Sequence, residues 1–415
     1  MIVNTTKDVF KKGDGLISLR EALEGVGDVE NTGARYVTFA VGGVFDMTEA
    51  SPSCVGNSKP KTFGKICRQE DITVACQTAP SPGVVIRGGG FRVTSSSENI
   101  IMRHCTFRGI DPGPAWIKNQ PQGQEGPGSQ DIRPVNAADN GNTFSNSTSD
   151  KAPIHNIIYD HMSFSWTTDE GWGAYISENR DERTGPQGGK DSTNITLSNS
   201  IIAEGDPDSA HSESGGYPKN FKHAHGANCS GANHNNRIRG CSIINNLLAH
   251  NNRRNPKFTS SFSEAVNNIT YNWGTAGMQM SDGRSGNYTE AYGVGNLFKV
   301  GQNTTADGNC ADTTSGECAV QLSKKSRESK HHIRDNYFIP LGGSLQDAVP
   351  LDVESDNTPT LPMMTADKGI LKMAAKGSDH LRCIGASVPE RDVICLLYTS
   401  PSPRDQRGSR MPSSA

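Results

Sequence analysis

The chain has 415 residues, of which 33% are hydrophobic and 45 are glycine, and a formal net charge of −3. That balance gives no global pull toward nucleic acid or an anionic membrane surface, and no apolar run approaches the ~20 residues of a membrane-spanning helix. A mean hydropathy of −0.58 is lean for a layered α/β enzyme and suits a loop-rich all-β chain with a narrow core, so an anionic ligand has to be met by a local basic groove.

The first residues lack a charged and then apolar leader pattern. Ser18 and Glu21 then stand at capping-box spacing, which predicts a short helix from Ser18 with a stop at Gly25. Residues 36–41 form a β-branched and aromatic run ended by Gly42 and Gly43, a strand. A short amphipathic helix just before the first strands can plug the open end of an elongated β structure, whose terminal coil needs a cover.

Strand-like runs recur at 99–107, 156–164, 194–202, 242–250, 266–274, 291–298 and 331–339. Several share an apolar, polar, Asn, apolar form. Asn199, Asn246, Asn272, Asn296 and Asn336 are the positions expected to stack as a hydrogen-bonded ladder. Their spacings fit solenoid coils, some carrying long loops. Frequent Gly and Asn without helical periodicity favour a parallel β-helix over a sandwich of Asn turns.

Loops at 111–150, 172–193 and 205–235 leave this repeat before a basic segment and are placed to line one wall of a groove. In that segment Arg253, Arg254 and Lys257 surround Pro256, which disfavours helix at Asn255 and sets the cations on an extended or turning stretch. Guanidinium groups there can read carboxylates bidentately, whereas the plainer reading is a solvated basic turn.

Ten cysteines are present. Cys54 with Cys67, and Cys310 with Cys318, bracket short polar loops without zinc spacing, so closed disulfide loops and an oxidising, secreted setting are expected, with the leader outside this sequence. Cys76 and Cys105 read instead as core residues of stacked coils. Sequons such as Asn228 and Asn268 add little in so Asn-rich a chain. Residues 395–415, biased to Ser, Pro and Arg, read as a tail foreign to the fold.

Taken in order, residues 18–22 (SLREA), 37–43, 72–79 (ITVACQTA), 86–88, 99–108 (NIIMRHCTFR), 156–170 (NIIYDHMSFSWTTDE), 254–256, 266–274 (VNNITYNWG) and 385–392 (GASVPERD) resemble the pectate lyase superfamily, specifically secreted bacterial-type members of polysaccharide lyase family 1. The resemblance spans residues 1–394. It implies a single right-handed parallel β-helix domain, monomeric and secreted, that cleaves an anionic polysaccharide, polygalacturonate, by calcium-dependent β-elimination.

Residue by residue, the resemblance makes Arg254 the base that takes the C5 proton and Asp169 a Ca²⁺ ligand. Many members carry a second carboxylate where this chain has Gly173. Glu170 is the nearest replacement, and Asp150 or Asp139 is a further ligand candidate. Lys257 stands for a basic residue after the proline, and Thr259 for another arginine. His223 or His225 lies where the family faces its substrate, and Arg253 and Arg108 complete the expected substrate contacts. Asp160 and His161 are expected to be structural. Trp166 and Trp172 are candidates to stack on sugar rings, although the alternation of Trp166 with Phe164 favours a core position. The rivals are a β-helix hydrolase, which needs clustered aspartates, a pectin lyase without calcium, and an inactive carbohydrate-binding β-helix.

Overall fold

The structure is a computed structural model that describes residues 1–25, 27, 29, 33–47, 64–67, 69–88, 91–94, 97–109, 142–145, 153–167, 169–176, 192–207, 224–230, 238–260, 262–281, 289–304, 319–323 and 329–351. Residues 395–415, and with them the expected tail, lie outside the described residues.

Each of the seven recurring strand-like runs falls on two short strands with a sharp corner between them, while the run 36–41 falls on the one strand Arg35–Phe39. Residues 155–165 fold as His155–Asp160 and Ser163–Ser165, and residues 238–249 as Ile238–Ile244 and Leu247–Ala249. The first residue of each corner is left-handed: His104, His161, Asn199, Asn245, Asn267 and Asp335 have φ between 49° and 57°. Asn and Asp tolerate that conformation better than most residues, which explains their abundance at the corners.

Each turn of the chain adds one strand to each of three sheets. Among the described residues the sheets hold ten, eight and ten strands, and apart from the first and last strands of the chain every sheet takes each third strand in chain order. Pairing is parallel throughout, except where Val349–Pro350 runs antiparallel to Tyr337–Ile339. This is a parallel β-helix. The register is strict. Ile72, Ile100, Ile157, Ile195 and Cys241 form one inward row of the first sheet, and Val74, Met102, Tyr159, Leu197 and Ile243 form the next. All ten side chains have no exposed surface, as a period of two in stacked strands demands.

The second residue of each corner points inward, and there the Asn ladder forms. Asn246 Nδ2 donates to Asn268 Oδ1 at 3.0 Å, Asn268 Nδ2 to Asn296 Oδ1 at 3.0 Å, and Asn296 Nδ2 to Asn336 Oδ1 at 2.9 Å. The expected members Asn199 and Asn272 are not in it. Asn199 is the outward corner residue and donates to Asp160, while Asn272 sits at a different corner and contacts His250. Ser200 occupies the inward position in place of Asn199, and its N–H donates the ladder's first bond to Asn246 Oδ1. A second, outer ladder runs Asn194, Asn156, Asn99, Asp71 at 2.8 to 2.9 Å.

The N-terminal helix spans Leu19–Glu24, with the capping box of Ser18 and Glu21 formed and Gly25 at φ 65°. All six residues are buried. Arg20 among them is neutralised by Asp8 at 2.6 Å and Glu24 at 2.9 Å, so the cover can bury a charge. Cys76 and Cys105 form a disulfide between adjacent coils, where unbridged core residues were expected, and Cys229 pairs with Cys241. The Cα atoms of Cys76 and Cys105, 5.1 Å apart, are brought within bridging reach by the stacking of coils, whereas Cys229 and Cys241, 12 residues apart, lie on consecutive strands. Cys54, Cys310 and Cys318 lie outside the described residues.

Candidate active site

The second sheet carries the site. Its strands Glu170–Ile176, His225–Ser230, Lys257–Thr259 and Met278–Ser281 are neighbours. Their inward rows include Ala174, Cys229, Phe258 and Met280, all fully buried. The alternate row, on the opposite face, is Gly173, Asn228, Lys257, Gln279 and Gln321.

At the N-terminal ends of these strands three groups from two coils converge. One ligand atom each from Asp169, Glu170 and His225 lies within 4.8 Å of the others. His225 is fully buried, and its Nδ1 is 3.1 Å from Asp169 Oδ1. Burial pushes the imidazole below its ordinary range, against the pull of Asp169 and with the help of the Arg253 and Lys257 charges. A neutral ring must then hold its proton on Nδ1 to donate to the carboxylate. Glu170 is 3% exposed and receives Asn228 Nδ2 at 3.4 Å.

A third coil brings in the arginine. The Arg254 guanidinium forms an ion pair with Glu170 Oε1 and is 22% exposed. Its backbone is left-handed, with φ 60°, and a cis peptide links Asn255 to Pro256. Hydrogen bonds from its own and neighbouring coils hold this segment. Gln279 Oε1 accepts the Arg254 N–H at 3.2 Å, Ala227 N donates to Arg254 O at 2.7 Å, Asn251 Nδ2 donates to Asn255 Oδ1 at 3.1 Å, and Thr270 Oγ1 donates to Asn255 O at 2.9 Å. Gly226 makes room for it: a Cβ there would stand 2.4 Å from Asn255 Oδ1 and 2.8 Å from Arg254 O.

Asp169, Glu170, His225 and Arg254 are therefore brought together, and Arg253 bridges to His225 through the backbone. His225 was expected to face substrate; it is fully buried, with its Nδ1 against Asp169. Lys257 is partly exposed in the row between Asn228 and Gln279. Arg108 is at the end of a third-sheet strand, where its Nη1 donates to Phe107 O at 2.8 Å and to Ser163 Oγ at 3.1 Å, and its guanidinium lies 5.5 Å from the Trp166 ring centre. His223, Asp150 and Asp139 lie outside the described residues.

The two tryptophans exchange their expected places. Trp172 is fully buried, and Trp166 is 53% exposed because it occupies a left-handed corner that turns its side chain outward. Asp160 is structural as expected, bound by Arg103, Ser198 and Asn199, and His161 stacks on His104 at 4.7 Å. Asn228 and Gln279 went unrecognised as site residues. Asn228 stood in the sequence as a sequon, yet it is 3% exposed. Gln279 carries no motif at all.

Fold and site together define a parallel β-helix protein with an acidic cluster able to hold a metal ion. No family model matches the chain. Its curated relatives include the probable pectate lyase C of Aspergillus oryzae, 27% identical over 365 residues, and that of Aspergillus flavus, 28% identical over 364 residues. Each match covers 88% of this chain but 62% of the relative, so the chain spans less than two thirds of these proteins. Among solved structures, the major allergen from cedar pollen has a TM-score of 0.48 at 12% identity, over 90% of this chain and 86% of that one. A pectate lyase from Bacillus sp. N165, in complex with trigalacturonate, has a TM-score of 0.42 at 13% identity, over 84% and 86%. At these values the solved structures add nothing to a fold that the strand pairing already establishes. The ordered motifs and the curated relatives support the same resemblance, to the pectate lyase superfamily.

Proposed function

We propose that this protein is a secreted, monomeric, calcium-dependent polysaccharide lyase that cleaves polygalacturonate by β-elimination, with Arg254 as the base. The observation that carries this reading is the meeting of the Arg254 guanidinium with Glu170, beside Asp169, from positions 84 residues apart. The names of the curated relatives agree with it.

The donor set fits a hard cation. Ca²⁺ takes oxygen ligands, and Asp169 and Glu170 offer two carboxylates while His225 holds Asp169 in place. When bound, Ca²⁺ supplies a positive charge that stabilises the negative charge developing on the uronate carboxylate. Asp169 and Glu170 would hold the ion, with Asn228 donating to the Glu170 carboxylate. Arg253 and Lys257 contribute cations for the substrate carboxylates; as a lysine, Lys257 does so with a point charge, not a bidentate fork.

Arg254 takes the proton from C5. The C5–H electron pair becomes the C4=C5 double bond, and O4 leaves with the departing chain, protonated by water. A guanidinium is ordinarily protonated far above neutrality, so the rate is expected to rise toward alkaline pH.

The test is release of unsaturated uronide from polygalacturonate, read by ultraviolet absorbance with Ca²⁺ and with a chelator. Activity in Ca²⁺, its loss with chelator, and a fall of about 10²- to 10⁴-fold in Arg254→Ala are expected. Reducing ends without unsaturated product would replace the lyase by a hydrolase. Binding of trigalacturonate without any turnover would leave a carbohydrate-binding protein.

A further inference from the structure

One corner of the β-helix has an occupant that the fold does not require. The third sheet hands the chain to the second at Gly109, Trp166, Glu204, His250 and Asn272, each following strands paired in register. Trp166, Glu204, His250 and Asn272 are all left-handed, with φ of 62°, 57°, 57° and 49°. Gly or Asn serves such a corner without strain, whereas a bulky aromatic residue in it is an outlier. Strain of this kind persists where the surroundings hold it, often at ligand clamps. The same tryptophan leaves 53% of its surface to solvent, although large aromatic residues contribute most when buried.

The ring is held in place. The Trp166 N–H of the backbone donates to Glu204 O at 3.1 Å, and Gly109 N donates to Ser165 O at 2.9 Å. A Cβ on Gly109 would stand 2.0 Å from Trp166 O, so the neighbouring coil is shaped to this corner. The indole N–H donates to Glu204 Oε2 at 3.0 Å, which fixes the edge of the ring. The Arg108 guanidinium, anchored on Phe107 O and Ser163, lies 5.5 Å from the ring centre.

The corner also adjoins the site. Asp169 and Glu170 follow Trp166 by three and four residues, and Arg253 and Arg254 follow His250 by the same steps. A flat, preorganised aromatic surface with a cation beside it suits a pyranose ring, whose C–H face is apolar and whose carboxylate is anionic.

We infer that Trp166, with Arg108 beside it, is a sugar-stacking subsite that holds a uronate unit of the polysaccharide next to the Asp169–Arg254 centre. This rests on the lyase reading above for the identity of the sugar.

The experiment titrates trigalacturonate into the full-length wild type, Trp166→Ala and Trp166→Phe by calorimetry, with chelator present to prevent turnover. Iodide quenching of tryptophan fluorescence is measured with and without the sugar, with Trp166→Phe as the blank. The sugar is expected to shield Trp166 from iodide. Trp166→Ala is expected to bind about tenfold more weakly, the loss of roughly one aromatic contact, with most of the affinity retained in Trp166→Phe. Equal affinity in all three proteins with quenching unchanged by sugar overturns the subsite, while wild-type binding and cleavage leave the lyase reading standing. A wild type that neither binds trigalacturonate nor releases unsaturated product overturns both. If Trp166→Ala does not fold, protection from iodide in the wild type against the phenylalanine blank decides alone.

Discussion

Arg254 has a left-handed backbone, a cis peptide one residue on, and a side chain paired with a nearly buried carboxylate. Each feature depends on neighbours from other coils, so the residue is legible in the sequence as a motif but not as a geometry. His225 shows the reverse. Its position predicted substrate contact, and only the packing shows a buried ring bonded to Asp169. His225→Ala is therefore expected to weaken Ca²⁺ binding about 10- to 100-fold, as loss of a group supporting a ligand does, measured by calorimetry with the metal alone. The His104, His161 and Asp160 cluster sets an acid limit instead. Burial, with the charges of His161 and Arg103, holds His104 below its ordinary value. Burial opposes the Asp160 charge, but hydrogen bonds from His161, Asn199 and Ser198 outweigh it and hold that carboxyl well below the usual range. Both shifts are downward, so the unfolded chain binds more protons and stability falls on acidification. The loss begins near the ordinary histidine value of 6.5 for His104 and near 3.8 for Asp160. His104→Gln is expected to flatten the first decline in a series of melting temperatures against pH.

At the scale of elements, the corners do the organising. A two-residue corner with a left-handed first residue turns the second side chain inward, and a polar group there must find partners. Asn268 satisfies five bonds at once. Its Oδ1 accepts Asn246 N and Nδ2, its Nδ2 donates to Ile243 O and Asn296 Oδ1, and its own N–H donates to Asn296 Oδ1. Asn268→Leu would strand the Asn246 donors and the Ile243 carbonyl. Its expected cost is roughly 2–5 kcal/mol, seen as a lower urea midpoint. Counting Asn residues along the chain could not distinguish Asn268 from Asn272, because the two differ in which corner they occupy. The capping box of the N-terminal helix, by contrast, was fully legible: it is a contact between residues three apart, and sequence spacing alone specifies it.

At the scale of the molecule, coils one chain-turn apart are locked by in-register rows and by the Cys76–Cys105 bridge, 29 residues apart in sequence. Removing that bridge with Cys76→Ala/Cys105→Ala is expected to cost about 2–4 kcal/mol, read from denaturant unfolding under oxidising conditions. The sequence by itself determined the solenoid class, the helical cover and the order of the family's motifs, because these rest on local periodicity, capping and turn preference. It also marked Asp169, Glu170 and Arg254 as chemistry-bearing. The tertiary structure decided which asparagines stack, which cysteines pair, that Trp166 faces water and Trp172 the core, and that Asn228 and Gln279 hydrogen-bond Glu170 and Arg254. Those outcomes depend on the register between coils 22 to 58 residues apart, which no local pattern encodes. One step of that register moves a side chain from the core to the opposite face.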